Sequence, residues 1–122
     1  MEIKSFRDLV VWQKAMNFVV EIYRATGSFP GDERFGLTSQ LRKSAVSVPS
    51  NIAEGHGRES TREFLNFLSI AYGSLNEAQT QIMIAEQLGF LPSEKAALLL
   101  ELAGEVAKLT NGLCRSLKAR LG

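Results

Sequence analysis

Apolar residues recur along this chain with the 3.6-residue period of an α-helix in four long stretches, and short breaks separate them. The first stretch covers about 6–27. Leu9, Trp12, Met16, Val19 and Tyr23 form one stripe there, and Val11, Ala15, Phe18 and Ile22 form a second beside it. Ser5 followed by Asp8 has the spacing of a capping box. Ser28-Phe29-Pro30-Gly31 is turn chemistry. The second stretch runs from about Asp32 to Glu54, with Leu37, Leu41, Ala45, Val48 and Ile52 on its core face. Gly55 and Gly57 are expected to end it in left-handed conformations.

The third stretch opens with Ser60 and Glu63, a second start box, and reaches about Leu88. Phe64, Phe67, Leu68, Ala71, Leu75, Ala78, Ile82 and Ala85 make a nearly unbroken stripe along it. At 1.5 Å per residue it is about 40 Å long. After Gly89 to Pro92 the fourth stretch runs from about Ser93 to Arg120, with Leu99, Leu102, Val106, Leu109, Leu113 and Leu117 inward. Breaks this short make sequential helices antiparallel neighbours. The predicted fold is all-α: an antiparallel up-down-up-down four-helix bundle forming a single domain over residues 1–122.

Two local features stand out. Pro49 lies inside the second helix, where it removes the hydrogen bond to the Ala45 carbonyl and crowds it, so a bend of more than about 20° is expected there. Ser44, Ala45, Ser47 and Ser50 around it are all small, which suits close packing. Asn51 and Glu54 are expected to form a polar network beside the bend. Gly73, inside the third helix, costs about 1 kcal/mol in helix propensity, so another helix is expected to approach it.

A bundle needs one apolar stripe per helix. The first helix has two, and the third adds Leu65, Tyr72 and Met83 off its main stripe. This surplus predicts a second buried surface, and self-association is the simplest way to supply it.

Composition narrows the function classes. A hydrophobic content of 45% over 122 residues supports a packed core. The net charge of +1 is far from that of a strongly basic nucleic-acid binder, so any such binding rests on local patches. The single cysteine, Cys114, allows no internal disulfide and fits a reducing, cytoplasmic setting. Neither a leader nor an apolar run of membrane-spanning length is evident.

Catalytic constellations are absent. One histidine and no Glu-x-x-His pair exclude the di-metal bundle pattern, and no metal or other cofactor is expected. Cys114 falls near an inner stripe, the setting of an inert thiol. Glu54 and Glu77 read as ion-pairing groups, with Arg58 or Arg42 as partner of Glu54, and not as an acid–base pair. Gly55-x-Gly57 lacks the strand and the Gly-Lys-Ser/Thr ending of a phosphate loop. The chain is expected not to be an enzyme. Basic residues remain: Arg42 and Lys43 on the polar side of the second helix, Arg58 and Arg62 at the turn into the third, and Lys108, Arg115, Lys118 and Arg120 toward the end. Trp12, Phe6 and Tyr23 have the spacing of packing residues more than of base-stacking platforms.

Gln40-Leu41-Arg42-Lys43, Ser47-Val48-Pro49-Ser50-Asn51-Ile52-Ala53-Glu54-Gly55 and Gly57-Arg58 together resemble the signature of the bacterial 23S ribosomal RNA intervening-sequence proteins. Phe6 to Gln13, Phe29-Pro30 and Ala71 to Glu77 are similar to further pieces of that pattern, which extends from about residue 5 to about residue 91. Lys43 stands where family members often carry a second arginine. The chain also resembles the accessory variability determinant of diversity-generating retroelements. The resemblance implies a homopentameric ring of bundles and a link to nucleic acid. In such a ring each Arg42/Lys43 pair is multiplied by copy number, so a nearly neutral chain presents an anion-attracting surface. The expected function is RNA binding through Arg42, Lys43, Arg58 and Arg62, with Pro49, Asn51, Glu54, Gly55 and Gly73 as structural residues. The alternative is a scaffold that docks a partner protein and contacts no nucleic acid.

Overall fold

Serine hydroxyls start two of the helical segments. Ser5 accepts from the Arg7 amide at 3.1 Å while the Asp8 carboxylate accepts from the Ser5 amide at 3.2 Å, closing the expected capping box. Ser60 likewise accepts from the Glu63 amide at 3.1 Å. The structure is a computed structural model that describes residues 3–121. It contains four α-helices: α1 (Val10–Thr26), α2 (Leu37–His56), α3 (Thr61–Gln87) and α4 (Ser93–Leu121). Single 3-10 turns at Phe6–Asp8 and Gly31–Glu33 precede α1 and α2. Among the described residues there is no strand, and no helix is long and apolar enough to cross a membrane.

Each helix packs on two others, in the cyclic order α1, α2, α3, α4 and back to α1. One cluster of buried apolar side chains fills the space between them. All five residues expected on the α2 core face are buried, as are Leu68, Ala71, Leu75, Ala78, Ile82 and Ala85 of α3. On α4 the buried line is Leu99, Ala103, Val106, Thr110 and Leu117, with Leu102, Leu109 and Leu113 packed against its edge. Thr110 is tolerated there because its hydroxyl donates to the Val106 carbonyl at 2.7 Å.

On α1 the two stripes part company. Val11, Ala15, Phe18 and Ile22 enter the core, while Met16 and Tyr23 are exposed and Trp12 and Val19 half-buried. The first helical segment also begins later than expected, because Leu9 is extended (φ −73°, ψ 123°) and separates the capped turn from α1.

Helix α2 starts at Leu37 and not near Asp32. The Glu33 carboxylate accepts the Leu37 amide at 2.9 Å and so caps α2 from outside. Gly36 makes this possible: a Cβ built there would lie 2.7 Å from Glu33 Oε1.

The glycines near the end of α2 depart from expectation. Neither Gly55 nor Gly57 is left-handed; Gly57 has φ −79°, and the one positive-φ glycine among the described residues is Gly89. Gly55 is instead a buried helical residue under α3, where a Cβ would come within 2.6 Å of Phe67 Cβ and 3.0 Å of Phe64 Cδ1. Its missing side chain sets how closely α2 and α3 approach. Gly73 shows the reverse: it is exposed, and a Cβ there would meet nothing within 4 Å, so no helix of the same chain approaches it.

Pro49 is buried within α2, which continues to His56. Half a turn earlier, Ser47 Oγ shares a hydrogen bond with Ser74 Oγ of α3 at 2.8 Å. Asn51 Nδ2 donates to the Ser47 carbonyl at 2.8 Å and to Ser47 Oγ at 2.9 Å. The expected Asn51–Glu54 network does not form. Asn51 is satisfied by Ser47, and Glu54 turns away to Arg58.

Candidate nucleic-acid interface

The α2 sequence carries its cations on the side turned away from the core, but their settings differ. Arg42 is half-buried and bends toward the end of α1. Its Nε donates to Thr26 Oγ1 at 2.8 Å, one Nη donates to the Tyr23 carbonyl at 3.3 Å, and the guanidinium carbon lies 4.5 Å from the centre of the Tyr23 ring. A cation at the carbonyl end of α1 complements the helix dipole. Lys43, the next residue, is exposed and has no ion pair among the described residues.

Beyond Arg42 and Lys43 an open cleft of about 500 Å³ runs between the end of α1, the turn before α2 and α2 itself. Tyr23, Arg34, Phe35, Arg42 and Lys43 line it. Three cations and two aromatic rings thus share one concave surface. The guanidinium of Arg34 lies 5.2 Å from the centre of the Phe35 ring, and Phe35 is 87% exposed. Such a surface attracts phosphate through its charge and offers π-faces to bases.

Arg34 and Phe35 are not singled out by the sequence pattern, which starts the second helix before them and makes both ordinary solvent-facing positions. The usable signal is Phe35 itself, a large aromatic off every apolar stripe and flanked by Arg34 and Gly36.

Arg58 and Arg62 lie elsewhere. Arg42 and Arg58 are separated by on the order of 20 Å along α2. Arg58 pairs with Glu54 at 2.7 Å, reaches Glu63 at 4.0 Å and stacks 4.8 Å from the Phe67 ring centre. Arg62 is exposed, without an ion pair among the described residues. The four expected cations therefore form two separate groups.

A second, smaller groove adjoins the cleft at Val46 and runs along α1 and α2. It has a volume of about 350 Å³ and is lined almost wholly by apolar atoms of Trp12, Met16, Val19, Val46, Pro49 and Ala53. Val46 belongs to both depressions. On the opposite side Cys114 lies in a groove with Leu65, Leu68 and Tyr72, where burial pushes its thiol up from the ordinary value of 9.0 and Lys118 only partly offsets this. Among the described residues no cluster of three or more His, Cys, Asp or Glu is arranged to hold a metal ion.

The chain is similar to a solved structure from Bacteroides thetaiotaomicron, described as a protein with unknown function from the S23 ribosomal protein family. The two share 23% identity, with a TM-score of 0.81 over 87% of this chain and 96% of the other, a likeness of fold. No curated protein matches at a significant level. The model of the 23S rRNA-intervening sequence proteins matches residues 7–112, which include both helices of the cleft and the turn between them. By that match, this four-helix chain belongs to the 23S rRNA-intervening sequence protein family.

Proposed function

We propose that this protein is a non-enzymatic, homo-oligomeric bundle that binds nucleic acid, RNA above all, through basic residues. The observation that carries this reading is the open cleft in which Arg34, Arg42 and Lys43 stand beside Tyr23 and Phe35. Phosphate contacts by such residues give binding that is steep in salt and weakly selective for sequence. Arg58 and Arg62 make a second basic group, reached by a strand that extends beyond one cleft or by one that crosses between copies. A cytoplasmic setting and a single domain over residues 1–122 belong to the same proposal.

Within each chain the helices alternate up and down, and α2 bends near Pro49. The pairings Ser47 with Ser74 and Gly55 with Phe67 support the antiparallel order of α2 and α3. The Ala45 carbonyl, left without its usual partner by Pro49, supports the bend.

The apolar groove of α1 and α2 takes a second copy of the chain, which presents the outer face of its α3. Ile70, Gly73, Glu77 and Ile84 lie on one face of α3 by their spacing. Ile70 and Ile84 are 46% and 43% exposed, and the open surface at Gly73 lets a neighbouring helix come close. Glu77, exposed and without an ion pair among the described residues, complements Lys43, which lines the adjoining cleft one turn before Val46. Two different faces meet in this contact, so it is heterologous, the type of interface that builds a ring when its rotation closes. The resemblance to the 23S rRNA intervening-sequence proteins, which implies a homopentamer, supports five copies.

The test is a salt titration of binding between nuclease-treated protein and a structured RNA, with the molar mass followed by light scattering. Steep loss of affinity with salt is expected. Absence of binding at low salt overturns the reading in favour of a scaffold that docks a partner protein, which the net charge of +1 and the apolar groove would then explain.

A further inference from the structure

Phe35 is the most exposed large apolar side chain among the described residues, yet the turn that carries it is firmly built. The Glu33 carboxylate holds the Leu37 amide at 2.9 Å, and the Gly36 amide donates to the Glu33 carbonyl at 2.9 Å. Residues 34 and 35 are the two central positions of this closed turn, and the Phe35 ring projects from it into solvent. Arg34 lies 5.2 Å from the ring centre and occupies one side of it. The rest of the ring is open to solvent beside Arg42 and Lys43.

From this arrangement we infer that Phe35 is a base-stacking platform, and that the cleft takes an unpaired nucleotide: single-stranded or looped RNA rather than duplex. The inference rests on the RNA-binding reading and adds the class of RNA. The chemistry is specific to unpaired bases. In an A-form duplex the bases are already stacked on one another and their faces are closed to side chains, whereas a splayed base offers a face to an aromatic ring. Its phosphates then fall to the neighbouring cations, and Arg34 on the ring adds a cation–π contact. A phenylalanine anchoring a partner protein would sit among apolar neighbours. Here three cations and the Thr38 and Ser39 side chains share the cleft with Tyr23 and Val46, and the more continuous apolar surface of the same face lies farther along, at Trp12, Met16 and Pro49.

The experiment uses fluorescence anisotropy of the full chain with three labelled probes of equal length: an unstructured single-stranded RNA, a blunt RNA duplex and an abasic strand. Wild type is compared with F35A and F35W, with light scattering and circular dichroism as controls for assembly and folding. The wild type is expected to favour the single strand. F35A is expected to weaken single-strand binding on the order of tenfold, leave the duplex and abasic strands unchanged, and be rescued by F35W. Unchanged single-strand affinity in F35A, with binding still steep in salt, overturns the stacking role while RNA binding stands. Equal losses on all three probes, or a changed molar mass in F35A, assign Phe35 to assembly and also overturn it. Failure of wild type to bind any probe removes the RNA-binding reading itself and this inference with it.

Discussion

Arg42 of α2 donates its Nε–H to the Thr26 hydroxyl near the end of α1 at 2.8 Å, and Thr26 in turn donates to the Ile22 carbonyl at 2.8 Å. A residue expected to serve a ligand or to pair with Glu54 ties two helices together. R42A should lower stability by about 1–3 kcal/mol, because it removes charge-assisted hydrogen bonds and leaves the Tyr23 carbonyl without this partner. K43A should change stability by no more than about 0.5 kcal/mol, as for most exposed substitutions. Urea denaturation of both variants checks the contrast.

Glycine substitutions should have opposite signs at two positions. G55A gains about 1 kcal/mol in helix propensity but drives a methyl group to 2.6 Å from Phe67 Cβ, an atom held close to the α3 backbone. Overpacking of this kind costs about 1–3 kcal/mol, so net destabilisation is expected. G73A meets nothing within 4 Å and should stabilise the isolated chain by about 0.5–1 kcal/mol. Thermal unfolding gives the signs. A drop in molar mass in G73A would mark the position as covered by another copy.

Replacing Lys43 or Arg34 with glutamine should reduce the slope of log affinity against log salt by about one unit for each phosphate that is no longer neutralised. Neither side chain is engaged in an ion pair among the described residues, so the fold should be unaffected. Equal slopes in wild type and both variants would exclude the cleft as the surface that meets phosphate.

The Cys114 thiol should react slowly. Burial raises its pKa above the ordinary 9.0, so less thiolate is present near neutral pH than for a free cysteine. The sign for stability follows: the unfolded chain loses this proton first, so the contribution of the buried thiol is intact below about 9 and declines as pH rises toward the folded value. Rates of modification by a disulfide reagent across alkaline pH, native against unfolded, check both statements.

The helices and most of their core faces are legible in the sequence because sustained 3.6-residue periodicity leaves little choice of element. The two stripes of α1 show the limit. Two adjacent stripes are equally periodic, and hydrophobicity alone does not say which one faces inward. Ala15 and Phe18 fit the interior, and the bulkier Trp12, Met16 and Tyr23 are left at the edge. The start of α2 is hidden because its cap is a glutamate four residues ahead of the amide it accepts, a spacing outside the usual serine or aspartate signature. The same spacing conceals that Arg34 and Phe35 lie in a turn before α2 and line the cleft. Gly55 stands out as a motif residue, but a packing glycine and a helix-ending glycine look alike until the neighbouring helix is known.

Val46 lines both the basic cleft and the apolar groove. If a second copy fills the groove, its surface becomes part of the wall that meets a ligand in the cleft. Assembly and ligand binding are then linked equilibria, and the coupling is reciprocal: whatever factor assembly adds to RNA affinity, RNA adds to assembly. Apparent affinity would rise with protein concentration, and the chain would respond to its own abundance without any change in fold.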